Sequence, residues 1–301
     1  MLTDEQKQFY ADNGYVLVSG LFTPEEAALY RREAHDLAHR LSAVREINAT
    51  WGSADLVAKG KATQLLHCHD VQFQSAAFTR MLVNEKFTEA AADIIGPNVQ
   101  LHHTKMFIKP PEKGSPFPMH QDSPFFPHEN HSMIAAIIHF DDAPVERGCV
   151  RVVPGSHKLG MLPHIATGSW HLSPEEYPVS EATPAEAKAG DVLFFSYLTI
   201  HGSGINESDQ ARTTVLVQMR DPADPPSFRT HESNGQGMML AGVDPSCATR
   251  PPWERLQSTD GILGEANGSG VKAEPMGMGG AMAGAMGGAM GGAMGGAMGK
   301  M

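Results

Sequence analysis

His120-Gln121-Asp122, followed downstream by His201 and then by Arg212, is the most informative pattern in this chain. Two imidazoles and one carboxylate are the ligand set of non-haem Fe(II) oxygenases, which leaves other positions on the metal open for a chelating co-substrate and O2. An arginine in the strand after the distal histidine can form a bidentate pair with the far carboxylate of 2-oxoglutarate. The pattern therefore predicts an iron site with a co-substrate group beside it.

Each of these residues has rivals, because the chain contains 15 histidines. His139-Phe140-Asp141 is a second His-x-Asp pair, and its two side chains would also share one face of a strand. It ends an apolar run, so a rim histidine at a strand end is the simpler interpretation. His67-Cys68-His69-Asp70 also offers ligand types, in a setting predicted to be helical or irregular, and its cysteine suits zinc better than iron. Taken alone, His201 is also consistent with a core histidine, and Arg212 with an exposed strand arginine. Only their combination with His120 and Asp122, in this order along the chain, is specific for the iron site.

Composition argues against several classes of partner. The net charge is -11 without a long basic run, so neither nucleic acid nor an anionic membrane is expected as a main partner. No apolar stretch is long enough to span a bilayer, and the polar N-terminus lacks the apolar core of a signal peptide. The 3 cysteines, Cys68, Cys149 and Cys247, are widely spaced, which predicts a cytoplasmic location rather than a disulfide framework. The oligomeric state is left open.

Helix signals are concentrated in the first hundred residues. Thr3 and Thr23 each begin a capping-box pattern, and the second helix is predicted over 24–41. A short strand is predicted between them at 14–18, and a further helix at 87–95.

Short β-rich runs separated by Pro/Gly turns begin at Val99. Many short strands without intervening helices favour a sandwich or jelly roll over a parallel α/β sheet. Residues 155–190 are Pro-rich and weakly periodic, which predicts a surface excursion of the kind that often forms a lid. The predicted strands are 101–108, 134–140, 149–153, 192–195 and 213–219.

The C-terminal segment differs from the rest of the chain. Residues 277–299 are near-perfect Gly-Gly-Ala-Met repeats, in which each glycine costs about 1 kcal/mol relative to alanine in a helix. We therefore expect a single domain over 1–258 with a helical N-terminal part, and a flexible low-complexity tail over 259–301. A methionine-striped helix or a soft-metal site is the lesser alternative for this tail.

Beyond these patterns, the chain resembles the phytanoyl-CoA dioxygenase family of Fe(II)/2-oxoglutarate-dependent oxygenases over roughly residues 4–219. The segments His120-Gln121-Asp122 and His201-Gly202-Ser203-Gly204 carry much of this resemblance. Other similar stretches are 103–111, Gly148-Cys149 through Lys158, 190–195, and the opening 13–17 with 20–22.

This resemblance implies a mainly β protein, a double-stranded β-helix or jelly roll with α-helices packed on one side. It implies that His120, Asp122 and His201 are the metal-binding, catalytic residues, and it favours this triad over His139. Asp122 also favours oxygen insertion over halogenation, because iron halogenases of this fold have a small residue at that position.

The same resemblance implies co-substrate contacts. Arg212 and Ser203 match positions that bind the distal carboxylate of 2-oxoglutarate. Lys109 matches a lysine that contacts the co-substrate in related hydroxylases, and Lys105 is a weaker candidate nearby.

The function expected from these features is an Fe(II)- and 2-oxoglutarate-dependent dioxygenase, a hydroxylase of a small organic substrate that consumes O2 and releases succinate and CO2. Phytanoyl-CoA itself is not implied, and the primary substrate is left open. Alternatives are a non-oxygenase jelly-roll metalloenzyme, such as a zinc hydrolase or epimerase, and a catalytically silent metal- or ligand-binding protein. Candidate pocket walls, which are equally consistent with ordinary core or loop aromatics, are Phe125, Phe126, Trp170 and Tyr197.

Overall fold

The computed structural model describes residues 1–229 and 233–246, so the expected tail over 259–301 and the domain boundary at 258 lie outside the described residues. The α-helices are α1 (Asp4–Asn13), α2 (Pro24–Ser42), α3 (Asp55–Ala58), α4 (Ala76–Leu82) and α5 (Glu85–Ile95). The strands are β1 (Tyr15–Val18), β2 (Leu66–His69), β3 (Val99–Lys109), β4 (Phe117–His120), β5 (Ile134–His139), β6 (Val150–Val152), β7 (Thr183–Ala185), β8 (Val192–Ser196), β9 (His201–Ser203), β10 (Arg212–Arg220) and β11 (Met239–Ala241).

The strands form two antiparallel sheets. The larger one has the order β1-β8-β5-β10-β3-β11, with β2 also paired to β3, and the smaller one has the order β4-β9-β6-β7. Sequence neighbours are rarely sheet neighbours, since β3 pairs with β10 and β5 pairs with β8. This crossing order and the facing of two antiparallel sheets are the features of a jelly roll.

The helices cover the outer face of the larger sheet. Both predicted capping boxes form: Thr3 accepts from the Gln6 backbone, and Thr23 accepts from the Glu26 backbone. From α2, the side chains of Tyr30 and Leu37 are buried in the core that the helices share with this sheet. The apolar side of each helix thus shields one face of the sheet from water.

A second, smaller core lies between the two sheets. In β5, Ala136 and Ile138 face the helices, whereas Ala135 and Ile137 pack with residues of the smaller sheet. Because both faces of β5 are covered, its sequence is an unbroken apolar run rather than an alternating one. The inner faces of the two sheets therefore enclose the space in which the candidate site lies.

The predicted fold class is confirmed, and each predicted strand in the β-rich part corresponds to an observed one within a few residues. One local prediction was wrong. The stretch from His67 to His69, expected to be helical or irregular, belongs to β2, where His67 pairs with Phe107 and His69 with Lys105. Pairing with a neighbouring strand, which four residues cannot reveal alone, imposes the extended conformation. Within the described ranges, no helix has the length and apolar character needed to cross a bilayer.

Candidate active site

The three predicted metal ligands meet between the sheets. His120 ends β4 and lies directly opposite His201, the first residue of β9. Oδ1 of Asp122 is 3.7 Å from Nε2 of each histidine, and the three ligand atoms all lie within 4.8 Å of one another. In the described part of the chain, this is the one group of His, Cys, Asp and Glu side chains arranged to hold a metal ion.

Close contact between β4 and β9 depends on the glycine that follows His201. A Cβ atom on Gly202 would lie 2.7 Å from the backbone oxygen of Phe117 and 2.7 Å from Sδ of Met119. A larger residue would push the strands apart and separate the two histidines. The close packing of the two strands thus explains why glycine follows His201.

Backbone carbonyls orient the two imidazole rings. Nδ1 of His120 lies 2.8 Å from the carbonyl oxygen of Pro118, and Nδ1 of His201 lies 3.0 Å from that of Thr199. Because a carbonyl only accepts, Nδ1 of each ring carries a proton, and in the neutral ring Nε2 keeps a free lone pair. Burial, with His201 as the next contributor, also holds the pKa of His120 well below its usual value. Neutral rings with lone pairs on Nε2 are the form that binds a metal.

Gln218 holds the carboxylate of the triad. Its Nε2 donates to Oδ2 of Asp122 over 2.6 Å, which leaves Oδ1 turned toward the histidines. The sequence interpretation missed this residue. The available signal was period-two spacing, since Arg212 and Gln218 lie on one face of β10.

Deeper between the sheets, Arg212 and Lys109 are cross-strand partners on β10 and β3. Lys109 Nζ donates to Ser203 Oγ and to the backbone oxygen of Gly204, each over 2.7 Å. Arg212 is 3% exposed and donates from Nη1 to the Gly148 carbonyl, while its Nε has no hydrogen-bond partner among the described residues. The structure thus brings these predicted co-substrate residues together.

The charge of this deep region is positive. Burial lowers the pKa of Arg212 to about 10, which leaves the guanidinium protonated at neutral pH. Burial, and then the neighbouring arginine, lower the pKa of Lys109 well below its ordinary value. An anion bound here would therefore find one buried guanidinium with an unused donor.

The rival pair His139 and Asp141 does not form a second site. Asp141 accepts from Nε of Arg31 over 2.6 Å and from the backbone of Thr213, on the outer side of β10. His139 faces inward opposite Thr214, and neither ring nitrogen has a hydrogen-bond partner in the described structure. Burial, followed by the charge of Arg212, lowers its pKa to about 3.

The other rival, on β2, is split between two faces of its strand. Cys68 packs in the core beneath the helices, on the strand face opposite that of His67 and His69, although all three residues border the interior cavity. Burial lowers the pKa of His67 to about 4. These residues do not form one of the metal-binding groups found in the described part of the chain.

One cavity of about 1320 Å³ joins these groups. It extends from Arg212 past the three candidate ligands to Lys105 and Asp70 near β2. Of the predicted aromatic walls, Phe125, Phe126 and Trp170 line it. The prediction for Tyr197 was wrong, because its ring does not line the cavity and is fully buried behind the wall, in a cluster with Phe126, Met133 and Leu198. Aromatic wall residues that the sequence interpretation missed are Trp51, Phe73, Phe107, Phe117 and Phe195.

Residues 155–190 contribute directly to this cavity. Gly168, Ser169 and Trp170 line it, and Ser169 Oγ accepts from the Gly52 backbone over 2.7 Å. Gln121, between two candidate ligands, anchors the same segment: its Nε2 donates to the Gly160 carbonyl and its Oε1 accepts from the Leu162 backbone, each over 2.8 Å. Part of the segment predicted as a surface excursion thus forms a cavity wall, while Leu159, Met161 and Ile165 remain exposed.

A jelly roll with a buried His-x-Asp and distal His cluster, and a buried arginine deeper in the same cavity, defines the class of non-haem iron oxygenases that use 2-oxoglutarate. Comparison with known proteins gives the family within that class. The model of the family described as Phytanoyl-CoA dioxygenase (PhyH) matches residues 10–214. The chain belongs to this family, and the predicted enzyme class, a 2-oxoglutarate-dependent dioxygenase, is confirmed.

The chain is similar to several proteins whose described activities differ. A probable alpha-ketoglutarate-dependent hypophosphite dioxygenase of Stutzerimonas stutzeri is 28% identical over 222 residues, 71% of this chain and 77% of the relative. Peroxisomal phytanoyl-CoA dioxygenase of Bos taurus is 27% identical over 240 residues, 73% of this chain and 69% of the relative. The solved structure of the epimerase SnoN in complex with Fe3+, alpha ketoglutarate and nogalamycin RO is 24% identical, with a TM-score of 0.60 over 80% of this chain and 96% of that one. The last similarity shows the fold.

Proposed function

We propose that this protein uses Fe(II), 2-oxoglutarate and O2 to hydroxylate a small organic substrate, with release of succinate and CO2. One observation carries the proposal: the candidate metal ligands and Arg212 line the same cavity between the sheets. A co-substrate that must chelate a metal at one end and pair its far carboxylate at the other needs this arrangement.

The donor atoms fit iron. His120 and His201 both present Nε2, and Asp122 presents Oδ1, which makes two nitrogen donors and one oxygen donor on one side of a common point. This set suits Fe(II), whereas a cysteine ligand would favour zinc. Bound iron with 2-oxoglutarate would supply the oxidising chemistry, which the side chains themselves cannot perform.

Arg212 supports the proposal for the co-substrate. Its Nε is buried without a partner, so a carboxylate beside it would receive a charge-assisted hydrogen bond that the described protein groups do not provide. Ser203 and Lys109 lie at the same end of the cavity, already joined to each other by a hydrogen bond. In the proposed role, the arginine pairs with the distal carboxylate, and the serine and lysine fix its orientation.

The aromatic walls would exclude water from the metal. Trp51 lies 5.5 Å from the His120 ring, and Phe195 lies 4.4 Å from the His201 ring, measured between centroids. A dry surrounding strengthens electrostatic interactions and limits side reactions. The substrate would bind in the part of the cavity near β2, away from Arg212, and the volume of about 1320 Å³ leaves room for it beside the co-substrate. The cytoplasmic location stays a prediction, with which the free thiols of Cys68 and Cys149 agree.

Calorimetric binding of 2-oxoglutarate to the protein loaded with a redox-inert divalent metal tests the proposal. We expect Arg212→Met to weaken binding by roughly 10- to 100-fold, because a charge-assisted pair is lost. The matched control Arg40→Met removes an exposed arginine of α2 and should bind like the wild type. Equal affinity in wild type and Arg212→Met would contradict the assignment, and wild-type protein that binds metal but no 2-oxoglutarate would favour the zinc or silent-binder alternatives.

A further inference from the structure

Lys105 is a cation in the cavity without an ionic partner. It lies on the inward face of β3, opposite His69 on β2 and Leu216 on β10. Its side chain lines the cavity that contains the candidate metal ligands. Among the described residues, no carboxylate lies within salt-bridge distance of Nζ, and no group accepts a hydrogen bond from it.

The acidic groups nearest to Lys105 have other partners. The carboxylates of Asp122 and Asp70 both favour the protonated form of Lys105 electrostatically. Oδ2 of Asp122 accepts from Gln218, while Oδ1 faces the two histidines. Oδ2 of Asp70 accepts from Asn234 over 3.2 Å, whereas its Oδ1 has no hydrogen-bond partner among the described residues and lies outside salt-bridge distance of Lys105. Other charged or titratable residues that line this part of the cavity are Arg45, Glu46, His67, His69 and His103.

Burial disfavours a lone ammonium, and it lowers the pKa of Lys105 although both carboxylates oppose this effect. A partly buried cation without a bound counter-charge is destabilising, and an anion bound against it would offset that effect. The structure thus leaves a site where a ligand anion would be stabilised.

The position of Lys105 argues against a role at the distal carboxylate of the co-substrate. Lys109, on the same strand face, is four residues away, which corresponds to roughly 13 Å in an extended strand. Lys109 is joined to Ser203 and paired across the strands with Arg212. Lys109, Ser203 and Arg212 already surround the position proposed for the distal carboxylate, whereas Lys105 lies further along β3, opposite His69 of β2. Lys105 is therefore assigned to the part of the cavity left for the primary substrate.

We propose that Lys105 binds an anionic group, a carboxylate or a phosphonate-type oxyanion, of the primary substrate. Unused donor-capable atoms along the same cavity include Nε1 of Trp51 and Nδ1 of His67, each buried without a hydrogen-bond partner in the described structure. They would contact further polar atoms of such a substrate. This assignment rests on the proposed function and names the substrate class: small organic acids rather than neutral or cationic molecules.

Matched probes test this assignment on the full-length, metal-loaded protein. Hexanoate and hexylphosphonate are titrated against hexanamide and hexanol by calorimetry, with and without saturating 2-oxoglutarate. We expect an anionic probe to bind wild-type protein at least about tenfold more tightly than its neutral match, with 2-oxoglutarate present. Lys105→Met should lose this preference, Lys105→Arg should keep part of it, and Lys86→Met, an exposed lysine of α5, should keep all of it.

Each other outcome overturns the assignment. No preference of the wild type for anions, or the same preference in Lys105→Met, contradicts a substrate-anion site. A loss of 2-oxoglutarate affinity in Lys105→Met as large as that in Arg212→Met would make Lys105 a co-substrate residue instead. Failure of the proposed function is distinguishable, because it appears as wild-type protein that binds no 2-oxoglutarate, whereas the probe titration without co-substrate still measures anion preference. Circular dichroism and thermal unfolding confirm that each variant is folded.

Discussion

Gln218 donates from Nε2 to Oδ2 of Asp122 over 2.6 Å, and this bond decides which carboxylate oxygen faces the histidines. The carbonyls of Pro118 and Thr199 do the same for the two imidazoles. At the scale of single residues, the proposed iron site thus depends on groups that orient the ligands. Such groups raise metal affinity because the ligands are held in the bound geometry before the ion arrives.

Replacement of Gln218 should therefore weaken the metal site without removing a ligand. We expect Gln218→Leu to lower Fe(II) affinity roughly 10- to 100-fold, because the carboxylate of Asp122 loses its hydrogen bond and can rotate. Anaerobic titration with Fe(II) against a competing chelator measures this. Gln8→Leu, on the exposed side of α1, is the matched control, and equal affinities for the two variants would contradict the orienting role.

Single residues also show which parts of the site can be predicted from the sequence and which cannot. The pair His120 and Asp122 is local, so its spacing alone places both side chains on one side of the chain. The bond between Gln218 and Asp122 spans 96 residues and depends on strand register, which composition does not reveal. Trp51 was missed for the same reason, since its contacts with His120 and Phe125 come from a segment without regular periodicity.

At the scale of elements, β10 connects the two ends of the candidate site. Its inward face carries Arg212 at the deep end and Gln218 beside the carboxylate ligand, and β3 and β5 pair with it on either side. Both helices with capping boxes were predictable, because their signals lie within four consecutive residues. Strand β2 could not be predicted in this way, because its extended conformation comes from pairing with β3. Local signals therefore identified helix starts more securely than strand partners.

The start of α2 should contribute measurably to stability. Oγ1 of Thr23 accepts from the Glu26 backbone N–H over 3.2 Å, and the Glu26 carboxylate accepts from the Thr23 backbone N–H over 2.8 Å. We expect Thr23→Ala to lower the free energy of unfolding by about 1 kcal/mol, and Thr23→Ser to keep most of it. Urea denaturation measures both. Equal losses in the two variants would assign the effect to lost packing rather than to the cap.

At the scale of the whole molecule, buried neutral histidines make stability depend on pH. Burial lowers the pKa of His139 to about 3 and those of His67 and His128 to about 4. In the unfolded chain these rings titrate near their usual pKa of about 6.5. As pH falls below that value, the unfolded state binds protons that the folded state excludes, so the free energy of unfolding decreases.

His139→Leu isolates one of these contributions. At pH 7.5 the variant should be close to wild type in stability, because the ring it replaces makes no hydrogen bond with the described residues. As pH falls from about 6 to about 4, we expect the free energy of unfolding of the variant to rise relative to that of wild type by about 1.4 kcal/mol per pH unit. The reason is that the unfolded variant no longer has this histidine to protonate. Urea denaturation of the metal-free protein at each pH measures this difference. Parallel curves for wild type and variant would contradict the pKa assigned to His139.

The central claim is that His120, Asp122 and His201 hold an iron that turns over 2-oxoglutarate in this cavity. The most direct test loads full-length protein with Fe(II) anaerobically, adds 2-oxoglutarate and air, and measures succinate, which needs no knowledge of the primary substrate. The account predicts succinate from the wild type and from His39→Ala, an exposed histidine of α2, and none above background from His120→Ala. Equal succinate from His120→Ala, or a wild type that neither forms succinate nor binds 2-oxoglutarate, would contradict it.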